Sequence, residues 1–517
     1  MRTTLAVATF AAFVTISAKA DAFCGFYVAG SDQSMYNDAT QVVLMREGTR
    51  TVLSMQNNYK GPPDAFALVI PVPVVLHEGD VKTLPKAVFD HVELMSAPRL
   101  VEYWEQDPCW RDDPRAGIAM GSGMAAATPT MVTTGQNAAA VKVEARFAVG
   151  EYQIVILSAK EATGLADWLR ANHYQIPERA EPLLRPYVEA GSKFFVAKVD
   201  PRKVRFENGR AALSPLRFHY DSEEFSLPIR LGLASSSGTQ DLIVNILAPG
   251  QRYRVANYPN VAIPTNLDVK PVVKDHFAAF YAALFDRTVA RNPHAVVTEY
   301  SWQAGNCDPC PGPVLTSSDF QTLGADVLGG AHEQSDAYQN EDFVLTRLHA
   351  RYGTEITADL VFERATPIEG GRESDQRFDE METGFSSSFS NNFQARYAIR
   401  HAWTGPVACN HPQRGIWGGP PADLANQLAG RGTMPTAALG VAFALRDAVK
   451  LETAVVHDVP GLGVHATAPP PLAAAPLRSG CGCHGAGDAS GAMTLLLIAG
   501  TALGVRRRSN RTAIRRR

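Results

Sequence analysis

The sequence predicts an α+β protein of mostly antiparallel strands with a few amphipathic helices, secreted and disulfide-containing. Three observations carry that expectation. Short β-rich runs recur along the chain, separated by turn residues. Between them stand stretches whose apolar residues repeat at helical spacing. Five cysteines lie in the body behind an export signal, and an oxidising compartment makes disulfides their default state.

The elements read as follows. Residues 39–59 form a hairpin around Gly48. Residues 66–76 are apolar throughout, and Pro71 and Pro73 make them an edge strand or a strand running into an extended segment. Val88, Val92 and Met95 sit at helical spacing. Residues 141–159 give two strands around Gly150, followed by a helix with Leu165, Trp168 and Leu169 on one face. "KFFVAKVD" is a strand, and residues 225–249 read as a hairpin turning at "SSSGTQ". A long helix runs from about Pro271 to Arg291, with Asn292-Pro293 ending it. A shorter helix begins at Ser318, where Ser318 with Gln321 makes a capping-box pattern. "FVLTRLHARY", "TADLVFERA" and "FQARYAIRHAW" are strands, and the helices are expected on one face of the sheet.

The ends of the chain differ from its middle. Arg2, the apolar run Leu5 to Ile16 and the small residues of "SAKADA" make residues 1–20 a secretory signal peptide. Signal peptidase would cut after Ala20, or after Ala22. Phe23 before Cys24 excludes a lipoprotein signal, which needs a small residue there. At the other end Ala489 to Val505 carries no charge and would span roughly 26 Å as a helix. Seven arginines follow it, and cationic flanks stay cytoplasmic. The body is assigned to residues 21–455, with a low-complexity mobile insertion at 112–140. A Pro/Ala/Gly-rich stalk at 456–480 and a sorting or transmembrane tail at 481–517 complete the chain.

The net charge of −3 hides an asymmetry. Without the signal and the terminal arginines, 40 Lys and Arg face 52 Asp and Glu, about −12. An acidic body excludes a nucleic-acid partner, which needs a basic footprint. The 45% of hydrophobic residues is ample for a core.

Two resemblances add to this. "SGCGCHGAGDASGAMTLLLIAGTALGVRRR" resembles the myxobacterial C-terminal sorting signal. That resemblance implies a sorting protease cutting near a lipid-modified cysteine, Cys481 or alternatively Cys483, and display at the membrane surface. "FCGFYVAG", "PVPVV", "LVEYWEQDPC", "GEYQIVILSA", "KFFVAKV", "RYRVANYPNV", "CDPCPGP" and "VLTRLHARYG" resemble a family of exported bacterial proteins known as a domain of unknown function. The likeness spans residues 23–410 and implies no reaction.

Chemistry is sparse. No nucleophile elbow, Walker loop or dinucleotide fingerprint occurs. His332 and Glu333 lack a second histidine at zincin spacing, and metal ligation needs three or four converging ligands. The disulfide candidates are Cys24, Cys109, Cys307, Cys310 and Cys409, an odd number that leaves at least one unpaired within the body. Two intrachain bridges are expected, the short Cys307–Cys310 loop a candidate for one. That C-x-x-C allows structural, metal-binding or redox roles; the prolines around it and the distance to the next helix favour the structural one. Cys409 with His401 and His411 allows a nucleophile–base pair, but no third group is visible. Trp403 and Trp417 allow a binding face. No catalytic residue, metal ligand or cofactor is therefore assigned. The expectation is an envelope or surface-displayed protein with a binding or structural role; the alternative is an extracytoplasmic enzyme or redox protein using Cys307/Cys310 or the Cys409–His411 region.

Overall fold

The computed structural model describes residues 26–28, 36–60, 67–109, 141–172, 180–207, 210–235, 239–329, 343–372, 382, 384–421, 436–437 and 448–467. Cys24, Ala20, Ala22, the 112–140 insertion, His332, Glu333, Cys481, Cys483 and the tail lie outside the described residues.

The central element is an 11-stranded sheet. Its middle is built from Val296–Gln303, Phe343–Tyr352, Gln240–Pro249, Tyr36–Glu47 and Arg50–Lys60, in that spatial order. The last two form the expected hairpin, with Gly48 at φ +53° in the turn. Most pairs are antiparallel, but Gln240–Pro249 runs parallel to Tyr36–Glu47.

Alternation gives this sheet two buried faces. Val42, Leu44, Val244 and Leu348 point to a second, five-stranded antiparallel sheet and meet Leu68, Ile70, Ile156 and Phe195. Val43, Met45, Val52 and Leu345 point the other way. They pack under α1 (Lys86–Ser96), through Val88, Phe89 and Val92, and under α5 (Ser317–Leu323), through Phe320 and Leu323. The outer face of the second sheet is covered by α2 (Ala162–Ala171) and α3 (Ala180–Glu189). Helices thus lie on both outer faces of a two-sheet sandwich, not on one face. The reason is that the second sheet is itself apolar on both sides: all six residues of Ala67–Val72 are buried. α4 (Phe277–Arg291), preceded by the 3₁₀ turn Pro271–His276, packs on a third sheet in which Leu267–Asp268, Arg396–His401 and Arg99–Glu105 run parallel.

Several expectations need correction. Of the two readings of residues 66–76 the edge strand is the one that fails: Ala67–Val72 pairs with Lys193–Val199 and with Phe26–Val28, and the strand ends at Val72, before Pro73. The described part of Phe26–Val28 reaches only as far as Val69, so Pro71 meets a ladder partner on one side alone among the described residues. The 225–249 hairpin does not form. Ser226–Leu227 joins Leu360–Ala365 instead, Pro228 follows, and Arg230–Ser235 is a 3₁₀ turn. The box on α5 uses Thr316 and Asp319 rather than Ser318 and Gln321: Asp319 Oδ2 accepts from Thr316 N at 2.7 Å. Residues 456–467, assigned to an extended stalk, are packed. Val459 and Val464 form a β-bridge, and Leu462 and Val464 are buried in the α4 core. Asp458 holds this turn by accepting from Ala466 N at 2.8 Å.

Candidate functional site

A buried polar seam crosses the outer face of the central sheet between the α4 and α1 cores. Arg347, His349 and Arg351 alternate along one strand and so share a face. Asn245 stands opposite Arg347, and Asp241 opposite Arg351. The neighbouring strand skips register between Thr298 and Tyr300, leaving Glu299 as a bulge residue. Bulges re-aim side chains, and Glu299 joins this same face. α1 adds Glu93 and Ser96; α4 adds Phe285 and Asp286.

The side chains form one continuous chain. Arg347 donates to Glu93 Oε2 at 2.7 Å through Nη1 and to Glu299 Oε2 at 2.6 Å through Nε. Glu299 Oε1 lies 2.7 Å from His349 Nδ1, and His349 Nε2 lies 3.0 Å from Asp241 Oδ1. Arg351 donates to Asp241 at 3.1 and 3.0 Å and reaches Asp286 with its remaining nitrogen. Ser96 Oγ ties the chain to Asn245 Oδ1 at 3.0 Å. The Phe285 ring stacks on His349 with centroids 3.7 Å apart.

Burial alone would raise the Glu299 pKa, but His349 and Arg347 outweigh it and bring it down to about 2. Burial alone would lower the His349 pKa, and Glu299 and Asp241 turn the balance upward. The His349 ring is held between two carboxylates, which favour its imidazolium form. A carboxylate–imidazole–carboxylate group can move protons when substrate reaches it. Here Arg347, Glu299 and His349 have 0% side-chain exposure, so their charges serve one another. The outer end, Arg351, borders a shallow cleft with Tyr258, His294 and Tyr352.

Beside the seam sits the first disulfide, Cys307–Cys310. Its loop is clasped from three sides. Arg99 is fully buried, donates to Pro309 O at 2.8 Å and to Met95 O at 2.6 Å, and stands over the Tyr300 ring. Burial pulls the Arg99 pKa down. Gln394 donates to Asp308 O. His91, on α1, bonds Pro313 O at 2.8 Å and lies 3.1 Å from Asp319, which raises its pKa.

The second disulfide, Cys109–Cys409, joins residues 300 positions apart. Cys409 is thereby not a free nucleophile. His401 turns away from it, stacking on Trp104 and bonding Glu102 at 2.9 Å; His411 is exposed. Glu105 seats the Cys409 loop by accepting from Trp403 N at 2.9 Å, Gly415 N at 3.0 Å and Arg414 at 3.0 Å. Trp417 lies under the Arg400 guanidinium, and both it and Trp403 are half-buried. No group of three metal-ligating side chains occurs among the described residues. In the chain-entropy account a closed loop of this length is worth on the order of 5 kcal/mol, against about 2 kcal/mol for the Cys307–Cys310 loop.

The seam was missed in the sequence because "FVLTRLHARY" reads simply as a strand. The available signal was Arg-x-His-x-Arg inside a run whose other residues are apolar or β-branched.

Fold and site together define a layered β-sandwich protein with two disulfides among its described residues and an ionic seam under its helices. The chain belongs to the family described as "Uncharacterized protein conserved in bacteria (DUF2330)", whose model matches residues 18–363. No curated protein and no solved structure matches it. The matched span holds Cys307, Cys310 and the seam and stops before Cys409.

Proposed function

We propose that this is an envelope or surface-displayed protein whose body has a binding or structural role. The observation that carries this reading is Cys109–Cys409, a bond across 300 residues that is at home in an oxidising compartment. The acid–base groups that would suit catalysis are engaged with one another beneath α1 and α4, which favours a scaffold over an enzyme. Export would follow from residues 1–20, with signal peptidase cutting after Ala20 or Ala22. The tail would be cut by a sorting protease and held at the membrane through Cys481, or Cys483.

Intact mass spectrometry of the protein from its native envelope tests this. The expected result is a chain starting at Asp21 or Phe23 and carrying a lipid adduct on Cys481 or Cys483. A full-length mass with both cysteines unmodified overturns export and sorting together. The processed chain would also lose nine basic residues against one acidic residue, Asp488, or two where cleavage after Ala22 removes Asp21 as well, so it should focus well below the pI of 6.5 of the full sequence.

A further inference from the structure

We infer that Cys307 and Cys310 form a thiol–disulfide exchange site whose partner is an extracytoplasmic protein dithiol. Three observations converge on it. First, only Asp308 and Pro309 lie between the cysteines, so the bond restricts the unfolded chain little. Second, the loop keeps its place without the bond. Arg99 holds Pro309 O at 2.8 Å, Gln394 holds Asp308 O, His91 holds Pro313 O at 2.8 Å, and the Thr316–Asp319 box fixes the helix that follows. Third, the two sulfurs differ in access. Cys307 is 8% exposed and packed in the α1 core, whereas Cys310 is partly exposed at its rim. Cys109–Cys409 is the opposite case, a tie that closes a loop of 300 residues.

The chemistry follows from that asymmetry. A thiolate of the partner dithiol attacks Cys310 Sγ, forming a mixed disulfide and expelling Cys307 as thiolate, which takes up a proton because burial disfavours its charge. The partner's second thiolate then attacks the partner sulfur of the mixed disulfide. Cys310 leaves, is protonated, and the partner departs as a disulfide. Two electrons and two protons pass to the pair, and the reverse steps oxidise a substrate dithiol.

The inference depends on export only for where the partner is met; the exchange itself is a property of the purified chain. That chain is titrated with dithiothreitol redox buffers, quenched with maleimide and mapped by peptide. Cys307 and Cys310 are expected to open at a reduced-to-oxidised buffer ratio at least about tenfold lower than Cys109 and Cys409, with the far-UV spectrum unchanged. Cys307→Ser, which leaves Cys310 free, should form a mixed disulfide with glutathione. The double variant C307S/C310S should fold, with a thermal midpoint lowered by no more than about 4 °C. The proposal is overturned if the pair opens only together with Cys109–Cys409, if its opening unfolds the chain, or if the double variant collapses. A native mass retaining residues 1–20 would defeat export and leave this titration as it stands.

Discussion

Arg347 has its side chain fully buried and sends its charge to two carboxylates on different elements, Glu93 and Glu299. Removing one partner of such a group strands the others in a medium that cannot solvate them. Arg347→Met should therefore cost about 3–5 kcal/mol, read as a fall in the denaturant midpoint; a loss under 1 kcal/mol would show that water reaches the seam. His349 makes the same point through pH. Its native pKa is raised above 6.5, so the imidazolium contributes fully below that value. As pH rises the unfolded chain loses its proton first, and the contribution declines until the native pKa is passed. Glu299 acts at the other end: its stabilisation is present above about 4.5 and is lost as pH falls toward about 2. Thermal midpoints should accordingly drop on the alkaline side as pH rises above about 6.5 in the native protein. His349→Gln should flatten that limb, and an unaltered alkaline slope in the variant would remove His349 from the seam's titration.

At the scale of elements, two glycines separate the tolerant turns from the strained ones. Gly48 has φ +53° with nothing near its missing side chain, whereas Gly324, which ends α5, has φ +143° and would set a Cβ 2.7 Å from Val52 Cγ1. Gly48→Ala should cost about 1–2 kcal/mol and Gly324→Ala about 2–4 kcal/mol; equal midpoints for the two variants would refute the close approach. The first turn was legible in the sequence because its cause is local: a glycine between two β-rich runs. Elements whose causes are remote were not. α3 escaped because two of its own ten residues, Pro182 and Pro186, are prolines. The supposed 225–249 hairpin failed because the partners of Gln240–Pro249 are Tyr36–Glu47 and Phe343–Tyr352, not its sequence neighbour. The seam failed for the same reason. Arg347 reaches Glu299 across 48 residues and Glu93 across 254, while a charged residue in a strand is read by default as solvent-facing.

The whole molecule is closed by contacts that span most of the chain. Arg99–Glu105 runs parallel to Arg396–His401, a pairing that must bring together segments about 300 residues apart before any ladder bond rewards it. Cys109 and Cys409 lie just beyond the ends of these strands, and Gln413 N donating to Pro108 O at 2.8 Å adds a backbone tie beside the bond. The bond thus acts where loop-closure entropy is greatest, and it ties together the two parallel strands of the third sheet on which α4 packs. Substituting both cysteines, C109S/C409S, should lower stability by on the order of 5 kcal/mol, and the loss should be uneven. Amide exchange should quicken in Arg396–His401 and Arg99–Glu105 while Phe343–Tyr352, flanked by strands on both sides, stays protected. If all three strands lose protection together, the third sheet is not a separately yielding unit. If none does, the parallel pair is held by the α4 core alone, and the bond records the compartment rather than supporting the fold.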